Sequence, residues 1–145
     1  MKILNLIPLF IFTILFFTVT TSCQTTKKSV INVDPYLTFD MQTKDFGAVK
    51  VGERPEFVYK FKNTAKEPVT IELISGCDCT EFLDVPDGKT FLPGEEGSFK
   101  IIFKSETEDE RGPMLKTIDI LLVNTDPITG YQIVKEVFYK LDLSE

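Results

Sequence analysis

Short runs in which apolar and polar residues alternate dominate the chain from Tyr36 onward. In the run FVYKFKN, Phe57, Tyr59 and Phe61 lie on one side, opposite a valine and two lysines. A period of two residues predicts a β-strand with one buried face, and no window repeats convincingly every 3.6 residues as a helix would. The same spacing predicts a buried face for Val69, Ile71 and Leu73; Phe99, Ile101 and Phe103; Ile118, Ile120 and Leu122; and Tyr131, Ile133, Val137, Tyr139, Leu141 and Leu143.

Segments rich in Gly, Pro, Asn and Asp separate these runs and are typical of turns. About seven short strands joined by such turns predict an all-β domain, and two sheets packed face to face explain why each strand has one apolar side. We therefore predict an antiparallel β-sandwich over residues 36–145, with a β-barrel as the alternative. The predicted turns are KVGERP (50–55), NTAKEP (63–68), VPDGKT (85–90), LPGEEG (92–97), ERGP (110–113) and NTDPITG (124–130).

Two local signals add detail to the predicted strands. The sequence Asp45-Phe46-Gly47 predicts a bulge or tight bend, because glycine adopts backbone angles that other residues avoid. The segment from Asn63 to Pro68 predicts the corner of a hairpin, since proline cannot donate a hydrogen bond within a central strand. Both signals are interpreted as architecture and carry no predicted chemistry.

Composition argues against several functional classes. The 145-residue chain has no histidine and a formal charge of −6. Without histidine the commonest general base and metal ligand are missing, which makes a hydrolase or transferase a distant alternative. An acidic chain repels phosphate backbones, so no nucleic acid is expected as a partner. The acidic stretch SETEDERG (105–112) lacks the spacing of a calcium-binding loop and predicts a solvated turn.

The beginning of the chain is organised like an export signal. Lys2 precedes a run of Ile, Leu and Phe, and residues 3–26 carry no charge. The run ends in Thr-Thr-Ser directly before Cys23. A positive start, an apolar middle and small residues before a cleavage point are the parts of a signal peptide.

Cys23 and the small residues before it resemble a bacterial lipobox, in which the cysteine receives a diacylglyceryl group and becomes the mature N-terminus. Thr20 stands where lipoboxes prefer leucine. Two acyl chains hold a protein stably at a membrane, whereas one does not. We therefore predict a lipoprotein signal peptide at residues 1–22 and a lipidated N-terminus with a tether at residues 23–35. The alternatives are simple secretion and an uncleaved membrane anchor, which two following lysines disfavour.

Five segments of the chain resemble a known bacterial family, and they occur in the order DFGAVKVGE (45–53), FVYKFKNTAKEPVTI (57–71), GCDCT (76–80), LPGEEGSFKIIFKS (92–105) and RGPMLKTIDILLVNTD (111–126). Together they make about residues 45–126 similar to domain of unknown function 1573. The resemblance implies an immunoglobulin-like sandwich, remotely similar to Hydin-type and major-sperm-protein-type domains, in exported proteins that are often lipoproteins. It implies no activity. Where such domains commonly have Ser-Cys-Gly-Cys-Thr, this chain has Gly-Cys-Asp-Cys-Thr.

Cys77 and Cys79 are the candidates for chemistry in the body of the chain. An exported protein meets an oxidising compartment, which favours a disulfide between them. In a regular strand, residues two apart are separated by roughly 6.6 Å, at the limit for a disulfide. A bond therefore requires a turn or bulge, which Gly76 and Asp78 favour because both are poor strand residues. Such a small ring is expected to be strained and easily reduced.

Three interpretations of this cysteine pair stay open. In the first, both thiols are small buried core residues. In the second, Cys77 and Cys79 form a redox-active disulfide. In the third, both thiolates, with or without Asp78, bind a soft metal ion; two sulfurs make an incomplete zinc site and suit Cu(I) better. No other cofactor is predicted.

Together these observations predict a lipid-anchored domain of the cell envelope that is not an enzyme and acts as a binding or scaffold module. Sandwich domains recognise partners through their end loops or a sheet edge. The predicted partners are the membrane, through the lipid on Cys23, and an envelope protein. No acidic run follows Cys23, so a periplasmic orientation is favoured over the cell surface. The alternative function is thiol redox or soft-metal (copper) binding by Cys77 and Cys79.

Overall fold

Nine β-strands run through residues 36–105 and 111–145, which are the parts of the chain that the computed structural model describes. No residue in these two ranges is helical. The predicted signal peptide and tether and most of the predicted acidic turn lie outside the described residues. In chain order the strands are β1 (Leu37–Phe39), β2 (Thr43–Lys50), β3 (Glu56–Asn63), β4 (Val69–Gly76), β5 (Thr80–Leu83), β6 (Thr90–Phe91), β7 (Glu96–Phe103), β8 (Gly112–Thr125) and β9 (Gln132–Ser144).

The strands form two sheets with a shared apolar core. Sheet one has the order β1-β3-β7-β5, and sheet two has the order β2-β9-β8-β4-β6. Each sheet ends in edge strands and does not close on itself in the described residues, so the predicted sandwich is confirmed and the alternative of a barrel is wrong. Sequence alternation predicted about seven strands; β1 and β6 have only three and two residues, too few to show a period.

One strand pair departs from the predicted antiparallel arrangement. Strands β2 and β9 are parallel, with Thr43 opposite Phe138 and Lys50 opposite Ser144. A tight turn forces antiparallel pairing only on strands that it joins directly. β1 lies in sheet one, and the chain then crosses to sheet two, where β2 meets the last strand without a turn between them.

The core consists of the inward faces of both sheets, as the alternation predicted. Nearly all of the residues predicted to be buried belong to it, and Phe57 packs against it while partly buried. The largest fully buried side chains are Tyr59, Tyr139, Phe61, Phe91, Phe99, Phe103, Leu37, Ile71, Ile101, Ile118, Ile120 and Leu122. Aromatic rings from both sheets therefore fill the space between them.

Two residues predicted to be buried are exposed instead. Leu73 is 44% exposed, because the register of β4 against β8 shifts between Ile71 and Leu73 and brings Ile74 to the inner face. Tyr131 is 78% exposed, because it lies in the turn before β9 begins. A bulge reverses the alternation beyond it, so no period counted along the sequence can cross it unchanged.

The two local signals have different outcomes. The predicted bulge at Gly47 is confirmed, since the register of β2 against β9 shifts between Asp45 and Ala48 and Gly47 has a φ of 67°. The predicted hairpin from Asn63 to Pro68 is wrong, because β3 and β4 belong to different sheets. Such a turn reverses the chain in either case, and the local sequence does not reveal which sheet the next strand joins.

The buried Asn63 side chain stabilises this connection between the sheets. Its Nδ2 atom donates to the carbonyl oxygens of Glu67 at 3.0 Å and Phe91 at 2.9 Å, and its Oδ1 accepts from the backbone N–H of Ala65 at 2.8 Å. A fully buried amide with three partners has its polar atoms satisfied and holds the connection in one geometry.

Candidate functional site

The cysteine pair lies where the chain crosses from sheet two to sheet one. β4 ends at Gly76 and β5 begins at Thr80, so both cysteines fall in the turn between them. The backbone N–H of Thr80 donates to the carbonyl of Cys77 at 2.8 Å, and that of Lys104 donates to the carbonyl of Cys79 at 2.8 Å. The cysteines are thereby held on a turn that is tied to the end of β7.

Gly76 allows the crossing to be tight. A Cβ atom at this position would lie 3.0 Å from Cζ of Phe82 and 3.3 Å from the carbonyl oxygen of Thr117. The ring of Phe82 therefore packs over the glycine backbone as the chain enters β5. The sequence identified Gly76 as a poor strand residue, and its lack of a side chain is what this packing uses.

The sulfur atoms of Cys77 and Cys79 lie within bonding distance of each other, and their Cα atoms are 5.1 Å apart. This separation is shorter than the roughly 6.6 Å of a regular strand, as the turn prediction required. The geometry is that of the second interpretation, a disulfide. The redox state of the pair in the native protein stays a prediction that thiol labelling can test.

Two hydroxyl groups face the sulfur pair. The Tyr139 hydroxyl lies 2.6 Å from Oγ1 of Thr80, 3.7 Å from Sγ of Cys77 and 3.6 Å from Sγ of Cys79. Oγ1 of Thr80 lies 3.3 Å from Sγ of Cys77. Tyr139 is fully buried and Thr80 is 7% exposed, whereas both cysteines are half-buried. The site therefore places two half-buried cysteines in front of buried hydroxyls.

The structure also bears on the other two interpretations of the cysteines. Neither thiol is a fully buried core residue, although Cys79 packs against the core. Asp78 is exposed, and no group of three or more His, Cys, Asp or Glu side chains within residues 36–105 and 111–145 is arranged to hold a metal ion. Cys23, the predicted lipidation site, lies outside the described residues.

A second feature, on the outer face of sheet two, was not identified from the sequence. Leu73, Leu121 and Val134 are directly opposite one another on β4, β8 and β9, and we call them the apolar row. Leu73 is 44% and Val134 48% exposed. The sequence did contain one sign of this row: Leu121 is an apolar residue on the side of its run that otherwise carries Thr117 and Asp119.

Carboxylates lie beside the apolar row. Asp119 pairs with Ser75 on one side and Glu136 on the other, one step along the same face. Farther along the face, Asp45 accepts hydrogen bonds from the backbone of Gly47 at 2.8 Å and from Lys140 at 3.1 Å. These two donors hold the pKa of Asp45 below its usual value, so its carboxylate is charged at neutral pH.

The part of the chain that is described contains no helix with the length and hydrophobicity of a membrane span.

Solved structures share the sandwich fold at low sequence identity. A protein of unknown function from Porphyromonas gingivalis W83 is 17% identical with a TM-score of 0.58; the match covers 74% of this chain and 46% of that one. The VesB protease of Vibrio cholerae is 13% identical with a TM-score of 0.57, over 74% of this chain and 32% of that one. This chain thus spans less than half the length of either protein.

A whole small domain also matches. The ASH/PapD-like domain 7 of human CEP192 is 12% identical with a TM-score of 0.51; the match covers 77% of this chain and 87% of that domain. These likenesses confirm the immunoglobulin-like sandwich. Among curated proteins no sequence relative was found. A sequence model of the family described as protein of unknown function (DUF1573) matches residues 37–136.

Proposed function

The chain belongs to the DUF1573 family, and from this premise we propose that it is a lipid-anchored, non-catalytic binding module of the cell envelope. The family description names no activity, so the proposal depends on the surface of this chain. The absence of histidine from the sequence argues against most acid–base and nucleophilic chemistry. The sandwich is thus proposed to act through contact with another protein.

The apolar row on the outer face of sheet two is the observation that carries this proposal. Three adjacent strands each contribute an aliphatic side chain to this outer face, exposed at Leu73 and Val134 and half-buried at Leu121, where a protein without a partner more often has polar residues. Asp119 and Glu136 lie next to the row and favour cationic groups across an interface. We therefore propose a protein partner whose contact segment combines aliphatic or aromatic residues with Lys or Arg.

The membrane is the other proposed partner, through a diacylglyceryl group on Cys23. Support comes from the sequence, in which an uncharged apolar run ends in small residues before this cysteine. Two acyl chains give stable anchoring, and residues 24–35 would then tether the sandwich close to the bilayer. We propose that the domain faces the periplasm.

A matched pair of charge insertions tests the binding surface. Val134 on β9 and Val58 on β3 are 48% and 41% exposed, and each lies on an interior strand, but on opposite sheets. After cross-linking in cells and purification from membranes, we expect Val134→Glu to reduce the recovered partner about tenfold and Val58→Glu to leave it unchanged. Equal recovery of the partner with both variants would show that the apolar row is not the binding surface.

Thiol–disulfide exchange is a second candidate function, favoured by two half-buried cysteines whose sulfur atoms lie within bonding distance on the turn between β4 and β5. Copper binding by the same pair is less favoured, because the described residues offer no third ligand from His, Cys, Asp or Glu. Labelling free thiols in the unreduced protein tests the exchange function. The exchange function is supported if the protein contains a disulfide that a dithiol reduces reversibly. It is contradicted if both thiols are always free.

A further inference from the structure

We propose that the hydroxyl groups of Tyr139 and Thr80 direct thiol attack on the disulfide, so that an incoming thiolate bonds to Cys79 and Cys77 leaves as the stabilised thiolate. This inference rests on the second candidate function and specifies how that site would react. It goes beyond the cysteines themselves, because it assigns a role to two residues that lie 59 positions apart in the sequence.

The two sulfur atoms have different surroundings. Sγ of Cys77 is within reach of both hydroxyls, at 3.3 Å from Thr80 and 3.7 Å from Tyr139. Sγ of Cys79 is within reach of Tyr139 alone, at 3.6 Å, among the contacts of the described residues. A thiolate formed at Cys77 can therefore receive hydrogen bonds from two hydroxyl groups. A thiolate formed at Cys79 can receive a hydrogen bond from Tyr139 only.

The hydroxyl pair supplies the hydrogen atoms where negative charge develops. In the disulfide state the 2.6 Å contact is one hydroxyl donating to the other, since sulfur in a neutral disulfide is a weak acceptor. When Cys77 becomes a thiolate, the Thr80 and Tyr139 hydroxyls can both rotate so that each donates to it. Both hydroxyl groups are buried, and a low local dielectric strengthens such charge-assisted hydrogen bonds.

The reaction balances with a dithiol as the reductant. Its first thiolate attacks Sγ of Cys79, the bond between the two cysteines breaks, and Cys77 leaves with the electron pair. The second thiolate of the dithiol then attacks the reductant's own sulfur in the mixed disulfide, which releases Cys79 and closes a cyclic disulfide. Two electrons pass from the dithiol to the protein, and the two protons lost by the dithiol are matched by two gained at the cysteines.

The first experiment locates the mixed disulfide. The oxidised full chain is exposed briefly to the monothiol 2-mercaptoethanol, quenched with acid and alkylated. Fragmentation of the backbone between Cys77 and Asp78 then shows which cysteine carries the adduct. We expect the adduct on Cys79 and the alkyl group on Cys77. A majority of adduct on Cys77 would overturn the proposed direction.

The second experiment removes each hydroxyl with little change in shape. With dithiothreitol as the reductant, we expect Thr80→Val and Tyr139→Phe to slow opening of the disulfide about tenfold each, which is the loss of one charge-assisted hydrogen bond. Thr80→Ser should restore the rate. Tyr59→Phe is the matched control, since its buried hydroxyl donates to the Phe138 carbonyl at 2.6 Å, whereas the sulfurs are contacted by Thr80 and Tyr139.

The direction of the rate change separates this role from a structural one. If the hydroxyls only hold the turn in place, removing them should loosen it and speed reduction, which contradicts the proposal. In Thr80→Val the share of adduct on Cys77 should rise, since the two sulfurs then have equal donors. If the purified chain contains two free thiols, the exchange function itself fails; re-oxidising it chemically and repeating the rate series still tests the hydroxyl roles separately.

Discussion

Gly97 lies on β7 directly opposite Phe61 of β3, and two aromatic rings cover its backbone. A Cβ atom at this position would lie 2.4 Å from Cζ of Phe61 and 2.6 Å from Cε1 of Phe91, inside van der Waals contact. The two rings meet edge to face with centroids 5.0 Å apart. Glycine is required here because any side chain would collide with the two rings, whereas the sequence analysis placed this residue at the end of a predicted turn.

We expect Gly97→Ala to lower the free energy of unfolding by roughly 1–3 kcal/mol, because the added methyl group forces the two rings apart in a packed core. Chemical denaturation measures the change. Ser98→Ala at the next, exposed position is the control and should stay within about 0.5 kcal/mol of the parent. Equal stability of the two variants would show that the rings move aside freely.

Residue-level prediction from the sequence found the cysteines but not their surroundings. Cys77 and Cys79 are rare, close in sequence and chemically distinctive, so they could be identified directly. Alternation assigned Tyr139 to the core and was right about its burial, but periodicity does not show which side chain on a distant strand its hydroxyl will meet. Contact with Thr80 is set by the packing of β9 against the turn between the sheets.

At the level of elements, the turn between β8 and β9 shows how a polar residue fixes a connection. One carboxylate oxygen of Asp126 accepts from the backbone N–H groups of Ile128 and Thr129, both at 2.8 Å. These hydrogen bonds, led by that of Thr129, hold the pKa of Asp126 below its usual value of 3.8. The sequence predicted this turn from NTDPITG, because Asp, Pro and Gly have known roles in turns.

The sign of this shift gives a pH prediction. A lowered carboxyl pKa means that ionised Asp126 contributes to folding stability at neutral pH, and that this contribution is lost as pH falls through the folded-state pKa. We expect the amide proton shifts of Ile128 and Thr129 to titrate below pH 3.8 by NMR. Asp126→Asn keeps an oxygen acceptor and should abolish this titration. A midpoint at or above 3.8 in the parent would contradict the hydrogen-bond assignment.

Element prediction failed where pairing depends on distant parts of the chain. The buried faces of β3, β7 and β8 followed directly from alternation. The bulge in β4, the parallel pairing of β2 and the passage from β3 into the other sheet did not, because each depends on which strand becomes a neighbour. Local sequence constrains backbone conformation, whereas register and sheet membership are set by packing.

For the whole molecule, the sequence was sufficient to predict the fold class and the family, and both are confirmed. Alternation required a buried side on every strand, and two facing sheets satisfy this for all of them. The apolar row, which we propose as a binding surface, was not predictable, since a single Leu121 on a polar side gave little reason to expect neighbours from β4 and β9. The predicted leader and lipid stay predictions that whole-cell experiments can test.

We expect Cys23→Ser to move the chain from the membrane fraction to the soluble fraction, because the acyl chains that would hold it have no attachment site. Cys77→Ser removes a cysteine elsewhere and should leave the chain with the membranes. Immunoblots of fractionated cells measure both. Mass spectrometry of the native chain provides an independent check, in which an intact Met1 and an unmodified thiol at Cys23 would contradict the anchor.

The parallel pairing of β2 and β9 affects how the sandwich would bear mechanical load. Pulling on the start of β2 and the end of β9 draws the two strands past each other along their length. The hydrogen bonds between them are then loaded together instead of being unzipped one at a time, so the joint resists more force than a hairpin peeled from its open end. Tension applied between the start of β2 and the end of β9 would thus be carried by this parallel pair in shear.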